Sequence, residues 1–179
     1  MFVSKICRYK FFSTVSYDIG GQVFTLNDIE NGILRSNRPS MATLYLTPFS
    51  DDDPRLGQAL EEVEPKIHFA LNCGAKSCPP IKTFTAEDVD DELKTATESF
   101  LENDDAIMLD QDKGLVHLSM LFKWYHSDFG SNKVEILQWI KNQMTGSKLE
   151  NMKELLDQTG IENVKVKYIT YDWGHNDQE

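Results

Sequence analysis

The sequence predicts an α+β fold, a single domain with a mostly antiparallel sheet and packed helices. Hairpin and helix patterns follow one another along the 179 residues without the regular strand–helix–strand repeat of a parallel sheet. Hydrophobic residues make up 40% of the chain and aromatic residues 11%, which is enough for a buried core and too much for a disordered chain. The length suits one domain.

A hairpin and a short helix are predicted near the N-terminus. Polar and apolar residues alternate over residues 14–25, and Gly20-Gly21 supplies the turn between the two arms. Thr25 is expected to cap the following helix, and Asp28, three residues later, is placed to meet the free backbone N–H groups. The buried stripe of that helix is predicted to consist of Leu26, Ile29, Ile33 and Leu34.

Residues 67–72 are predicted to form a buried strand that carries His68, because the run is short, apolar and followed by a glycine turn. Helical spacing of apolar residues predicts the clearest helix from Thr85 onward. The remaining predicted elements are a hairpin over 107–118, two or three helices between 119 and 158 that end at Gly160, and a final strand over 164–170.

The net charge of −11 argues against a nucleic-acid-binding protein, because an acidic surface repels phosphate backbones. No apolar run approaches the roughly 18 residues that a membrane-spanning helix needs. The three cysteines are an odd number, and the chain has no Asn-x-Ser/Thr acceptor site. Both features favour free thiols in a reducing compartment, so we expect a cytoplasmic protein.

Three segments are predicted along the chain. Residues 1–10 form an N-terminal extension that we expect to be poorly ordered. Residues 11–173 form the domain, and residues 174–179 form a C-terminal tail.

The most informative segment places Cys73 and Cys78 on either side of a glycine-containing turn. A cysteine nucleophile needs a neighbouring base or cation to hold it as thiolate, and His68 lies nearby in the sequence. Alternation along the predicted strand leaves Cys78 freer than Cys73 to meet that imidazole. Asn72, Asp128 or Asp172 could orient the imidazole, as a third group does in catalytic triads.

Other roles for these cysteines stay open at this point. Buried cysteine often acts as a small hydrophobic residue, and a histidine on a strand is often a satisfied core residue. Two cysteines and one histidine are one ligand short of a closed zinc site, and the spacing is wider than the Cys-x-x-Cys of thioredoxin-like redox motifs. We therefore predict neither a metal nor a cofactor.

Four stretches together resemble the domain of unknown function 547 family. They are Tyr17-Asp-Ile-Gly-Gly with Asp28-Ile-Glu-Asn-Gly-Ile-Leu-Arg35, Asp53-Pro-Arg55 with His68-Phe-Ala-Leu-Asn-Cys-Gly-Ala-Lys-Ser-Cys-Pro79, Leu118-Ser119 with Trp124-Tyr125 and Asp128-Phe129, and Tyr171-Asp-Trp173. The resemblance implies an intracellular regulatory protein and a distant similarity to papain- and transglutaminase-like folds, with His68 at the position of the catalytic histidine. It also implies an upstream helix that this chain lacks, so a truncated domain is expected.

Two functional hypotheses follow. The favoured one is a non-catalytic interaction or regulatory module that binds a protein partner or self-associates, because loss of the upstream helix would expose apolar surface. The alternative is a thiol-dependent hydrolase or transferase that uses Cys78, or Cys73, with His68 as base. The sequence does not decide whether the protein is an enzyme.

Overall fold

The structure is a computed structural model that describes residues 10–40 and 46–174. It divides into two compact units, residues 1–65 and residues 66–179. Helices and strands occur in both units, so the predicted α+β class is confirmed.

The predicted N-terminal extension lies outside the described residues except for Lys10, which belongs to a helical segment whose described residues are 10–14. Residues 175–179 of the predicted tail also lie outside the described part. The boundaries of the central domain, residues 11–173, stay a prediction. Within the described ranges, no helix combines the length and the apolar character that crossing a bilayer requires.

The first unit contains the predicted hairpin, in which β1 (Ser16–Ile19) pairs antiparallel with β2 (Gln22–Thr25). Gly20 and Gly21 have φ angles of +64° and +83°, and two successive positive angles fit the tight turn that matches strand twist. The N–H of Gly21 donates to the carboxylate of Asp18 at 2.9 Å, which closes the turn.

The predicted cap by Thr25 and Asp28 is present at the start of the next helix, and the structure shows that it is reciprocal. The N–H of Thr25 donates to the Asp28 carboxylate at 2.9 Å, and the N–H of Asp28 donates to Thr25 Oγ1 at 3.1 Å. Helix α1 (Asp28–Leu34) is a π-helix, and the N–H of Arg35 reaches back five residues to the carbonyl of Glu30.

The predicted buried stripe of α1 is wrong, because its four apolar residues are only half-buried. The residues that face the interior are Asn31, Gly32 and Arg35, which are all buried. A π-helix has more residues per turn than an α-helix, so the 3.6-residue period used for the prediction points to the wrong face.

Arg55 joins three parts of the first unit. Its guanidinium donates to the Asp53 carboxylate at 2.8 Å, to the Asp28 carboxylate at 3.1 Å and to the carbonyl of Val23 at 3.1 Å. It also lies over the ring of Phe49, 4.7 Å from the centroid. The hydrogen bonds from Arg55 lower the pKa of the Asp53 carboxyl group.

The described part of the second unit contains a three-stranded sheet and five α-helices. The sheet has the order β3-β4-β5, in which β3 pairs antiparallel with β4 and β4 pairs parallel with β5. The predicted second hairpin and final strand are therefore present. The elements are α2 (Val89–Glu102), β3 (Ile107–Asp110), β4 (Leu115–Leu118), α3 (Leu121–Trp124), α4 (His126–Phe129), α5 (Lys133–Gln143), α6 (Gly146–Thr159) and β5 (Lys165–Tyr168).

Aromatic rings fill the centre of the second unit. Phe69 packs against Phe122, Phe129 and Trp139 with ring centroids about 6 Å apart, and the three phenylalanines are at most 4% exposed. Aliphatic residues of the sheet and of α5 and α6 surround these rings. The core therefore lies between the sheet and the helices, directly beside His68.

The predicted strand over residues 67–72 is wrong. Pro65–Phe69 forms a 3₁₀-helix, in which the carbonyl of Ile67 accepts hydrogen bonds from the N–H groups of Ala70 and Leu71. A short apolar run does not by itself distinguish a strand from a buried helical turn, and a proline fits the first turn of a helix well. Because His68 lies on this turn, the papain- or transglutaminase-like fold with a strand-borne histidine is not supported.

Gly32→Ala is expected to destabilise the first unit. A Cβ atom at this position would lie 2.3 Å from a ring carbon of Phe49, whose side chain is 1% exposed and has no room to move away. We expect the free energy of unfolding to fall by about 1–3 kcal/mol, as for overpacked cores. Urea denaturation measures this free energy of unfolding. Gly57→Ala is the control, because a Cβ there meets no atom within 4 Å. Equal stability of the two variants would contradict the close packing of Gly32 on Phe49.

Candidate functional site

The cysteine loop, residues 73–78, carries the first group of candidate residues. Gly74 has a φ angle of +76°, and its N–H donates to the side-chain oxygen of Asn72 at 2.6 Å. The side-chain amide of Asn72 also donates from Nδ2 to the carbonyl of Pro79 at 2.6 Å. One side chain thus ties the two ends of the loop together, which brings Cys73 and Cys78 close to each other.

The two sulfur atoms are in contact. Cys73 Sγ and Cys78 Sγ lie 3.3 Å apart, and both residues are half-buried and have free thiols. The backbone N–H of Cys73 donates to Cys78 Sγ at 3.2 Å. Tyr171 Oη lies 3.3 Å from Cys78 Sγ and 4.0 Å from Cys73 Sγ. The donors therefore converge on Cys78.

This asymmetry assigns different protonation states to the two thiols. The hydrogen bond from Cys73 lowers the pKa of Cys78, and the bonds from Tyr171 and from the Cys73 backbone act in the same direction. The hydrogen bond to Cys78 and burial raise the pKa of Cys73. Burial also raises the pKa of Tyr171, so its hydroxyl group stays protonated and donates. These directions favour a thiolate on Cys78 over one on Cys73.

The chain's C-terminal segment holds Tyr171 in place. The N–H of Lys76 donates to the carbonyl of Gly174 at 3.0 Å, and the N–H of Ser77 donates to the carbonyl of Asp172 at 3.3 Å. In return, the N–H of Asp172 donates to Ser77 Oγ at 2.8 Å. Backbone pairing on one side of the loop thus fixes the position of the phenol that reaches the sulfur.

Three aromatic rings pack together next to the sulfur atoms. The ring of Trp124, at the end of α3, lies 4.9 Å from that of Tyr171 and 5.4 Å from that of Trp173. The rings of Tyr171 and Trp173 are 4.8 Å apart. These contacts restrict the phenol to one side of the cysteine loop.

His68 belongs to a second group of candidate residues. Its Nε2 lies 2.9 Å from Asp128 Oδ2, and the two side chains are 2% and 0% exposed. The imidazole stacks on the ring of Tyr125 with centroids 4.0 Å apart and also contacts Phe129. Since buried polar groups are costly without a partner, this pair satisfies both residues inside the aromatic core.

The structure brings the predicted site residues together in two groups instead of one. Cys73 meets Cys78 on the loop that Asn72 closes, whereas His68 meets Asp128 in the core. Within residues 10–40 and 46–174, no hydrogen bond joins His68 to either sulfur. The predicted roles of His68 as base and of Asn72 and Asp128 as orienting groups therefore stay predictions.

Tyr171 is the contributor that the sequence analysis missed. It lies 93 residues from Cys78, and no spacing rule connects positions so far apart. The only signal in the sequence is the Tyr171-Asp-Trp173 motif of the family resemblance, which carries no pairing information. In the described part of the chain, no three His, Cys, Asp or Glu side chains are grouped as metal ligands.

The structure thus defines an α+β protein with a cysteine pair on a surface loop and a buried His–Asp pair. The family model of the proteins of unknown function called DUF547 matches residues 1–101, more than half of the chain, and the chain belongs to this family. The match includes His68 and both loop cysteines, whereas Asp128 and Tyr171 lie beyond it. No curated protein and no solved structure matches the chain.

The lowered pKa of Cys78 predicts alkylation by iodoacetamide well below pH 8.5, the ordinary value for cysteine, because the thiolate is the reacting form. Cys73 is expected to stay unreacted in the same pH range, since its pKa is raised. Peptide mass spectrometry of the folded protein resolves the two sites. In Tyr171→Phe, which lacks the donating hydroxyl, the Cys78 profile should move to higher pH. Equal profiles for the two cysteines would contradict the assignment.

Proposed function

We propose that Cys78 and Cys73 form a redox-active dithiol that exchanges with disulfides of other molecules. The observation that carries this proposal is the contact of 3.3 Å between the two sulfur atoms, with hydrogen-bond donors converging on only one of them. An attacking thiolate beside a protonated second thiol is the arrangement that thiol–disulfide exchange uses.

The reaction has two steps. The Cys78 thiolate attacks a substrate disulfide, forms a mixed disulfide and releases the first substrate thiolate. The Cys73 thiol then loses its proton to that thiolate or to water and attacks Cys78 Sγ. This second attack forms the Cys73–Cys78 disulfide and releases the second substrate thiolate. The substrate disulfide gains two electrons, and the protein loses two.

The neighbouring sulfur supports exchange over hydrolysis. Hydrolysis of an acyl group on Cys78 would need a base to activate water. The Nε2 atom of the predicted base, His68, is hydrogen-bonded to Asp128 inside the core. Any mixed disulfide on Cys78, by contrast, has its resolving thiol already in contact. The thiol-dependent hydrolase or transferase is therefore the less supported proposal.

A second candidate is the non-catalytic interaction or regulatory module. It is supported by the hairpin of the first unit, where Tyr17, Ile19 and Val23 are 59%, 44% and 58% exposed. Exposed apolar side chains on a short two-stranded hairpin suit a protein partner or a second copy of the chain. Both candidates fit a cytoplasmic location, where thiols are kept reduced.

Oxidised glutathione tests the exchange reaction on the full chain. The wild-type protein is expected to lose two hydrogen atoms through the Cys73–Cys78 disulfide and to retain no glutathione on either cysteine of the pair. Cys73→Ser should trap glutathione on Cys78, because the resolving thiol is absent. Cys78→Ser should react more slowly, because burial still raises the pKa of the Cys73 thiol in that variant. Intact-mass and peptide mass spectrometry distinguish these products.

Cys7→Ser is the matched control, since it removes the third cysteine and leaves the pair intact; it should behave as wild type. Equal trapping by Cys73→Ser and Cys78→Ser, or two independent glutathione adducts on the wild type, would refute the dithiol. The interaction module would then be the better proposal.

A further inference from the structure

The second unit has a cavity apart from the cysteine loop. A cavity of about 530 Å³ opens between the sheet and α5. This volume falls within the range of small-molecule binding sites, roughly 300–1,000 Å³. Its lining residues are Leu118, Lys123, His126, Asn132, Lys133, Ile136, Leu137, Val166 and Tyr168.

The buried part of the cavity lining is apolar. Leu118 of β4 is 1% exposed, and Ile136 and Leu137 of α5 are 7% and 0% exposed. Val166 and Tyr168 are two residues apart on β5, so both side chains point to the same face of the sheet. A ligand in this cavity would lie against aliphatic and aromatic surface.

The rim of the cavity is basic. Lys123, His126 and Lys133 line it, and no Asp or Glu does. Lys123 Nζ lies 5.4 Å from the centroid of the Tyr168 ring, and Lys133 Nζ donates to the carbonyls of Glu162 and Val164 at 2.7 and 2.9 Å. These contacts hold both ammonium groups in place without cancelling their charge.

Neighbouring carboxylates leave this positive charge intact. Among the described residues, no carboxylate lies within 4.0 Å of the Lys123 or Lys133 ammonium group. The carboxylate of Glu135, close by on α5, accepts hydrogen bonds from the Ser131 N–H and from Asn132 Nδ2 at the start of that helix. These hydrogen bonds hold the Glu135 carboxylate at the start of α5.

This concentration of positive charge is unusual for the chain. The protein carries 29 acidic residues against 18 Lys and Arg residues, so a cavity rim of this size would be expected to include carboxylates. Basic groups around an apolar floor are complementary to an anion with an apolar body. No Arg, whose guanidinium fork often binds phosphate, is among the described residues that line the cavity.

We propose that this cavity binds a small organic carboxylate with an apolar body. The apolar part would lie against Ile136, Leu137 and Val166, and the carboxylate would face Lys123 and Lys133 at the rim. The proposal is independent of the dithiol, since none of the lining residues contacts either sulfur in the described structure.

Octanoate and 1-octanol are matched probes, because they share the alkyl chain and differ in charge. Titration of the full ¹⁵N-labelled chain should show saturable amide shifts at Ile136, Val166 and Tyr168 with octanoate and at least tenfold weaker binding of octanol. Lys123→Glu should weaken octanoate binding about tenfold or more, since it reverses an exposed charge at the rim. Lys153→Glu, exposed on α6 away from the cavity, is the control.

Raising the salt concentration should also weaken octanoate binding, because the rim is exposed to solvent. Equal affinity for octanoate and octanol would overturn the proposal, and so would shifts confined to other parts of the chain. Unchanged octanoate binding in folded Lys123→Glu would have the same consequence. Normal trapping of glutathione on Cys78 in that variant would show that the dithiol is intact, so the two proposals fail separately.

Discussion

The hydrogen bond between Tyr171 and Cys78 is the interaction on which the candidate site depends. It joins the cysteine loop to the C-terminal segment, and it breaks the symmetry between two sulfur atoms that are otherwise close neighbours. The backbone N–H of Cys73 donates to the same sulfur, so both donors favour the anion on Cys78, with the Cys73 thiol as a further hydrogen-bond donor to it.

In both units, side-chain hydrogen bonds connect segments that the short strands do not. Every strand of the described structure is four residues long, so the sheets supply few backbone hydrogen bonds. Side chains provide the missing connections. In the first unit, Asn37 donates to the carbonyl of Phe49 and accepts from its N–H, both at 2.9 Å, as a strand partner would. In the second, Asn72 closes the cysteine loop in a similar way.

The buried His68–Asp128 pair illustrates a different constraint. Two ionisable side chains enclosed by aromatic rings satisfy each other, and this contact joins the turn before the cysteine loop to α4. The adjacent residues Trp124 and Tyr125 pack on different groups, the first on Tyr171 and the second on His68. The end of α3 therefore contacts both the cysteine site and the His–Asp pair.

Local features of the fold could be predicted from the sequence, because their causes lie within a few residues. The Gly20-Gly21 turn and the cap formed by Thr25 and Asp28 are of this kind. The helical turn at His68 could not be predicted, because a short apolar run fits both a buried strand and a buried helical turn until its neighbours are known. At the candidate site, the cysteine motif was visible, but its partner Tyr171 is brought there only by tertiary folding.

The reduction potential of the Cys73–Cys78 pair tests the central claim most directly. Equilibration of the full chain in glutathione or dithiothreitol buffers, read by mass spectrometry, should give one two-electron transition. Its midpoint should lie above about −300 mV, because a stabilised thiolate favours the reduced form. In Tyr171→Phe the midpoint should become more negative, since that stabilisation is weakened. No intramolecular disulfide at any potential, or a midpoint unchanged by the substitution, would contradict the account.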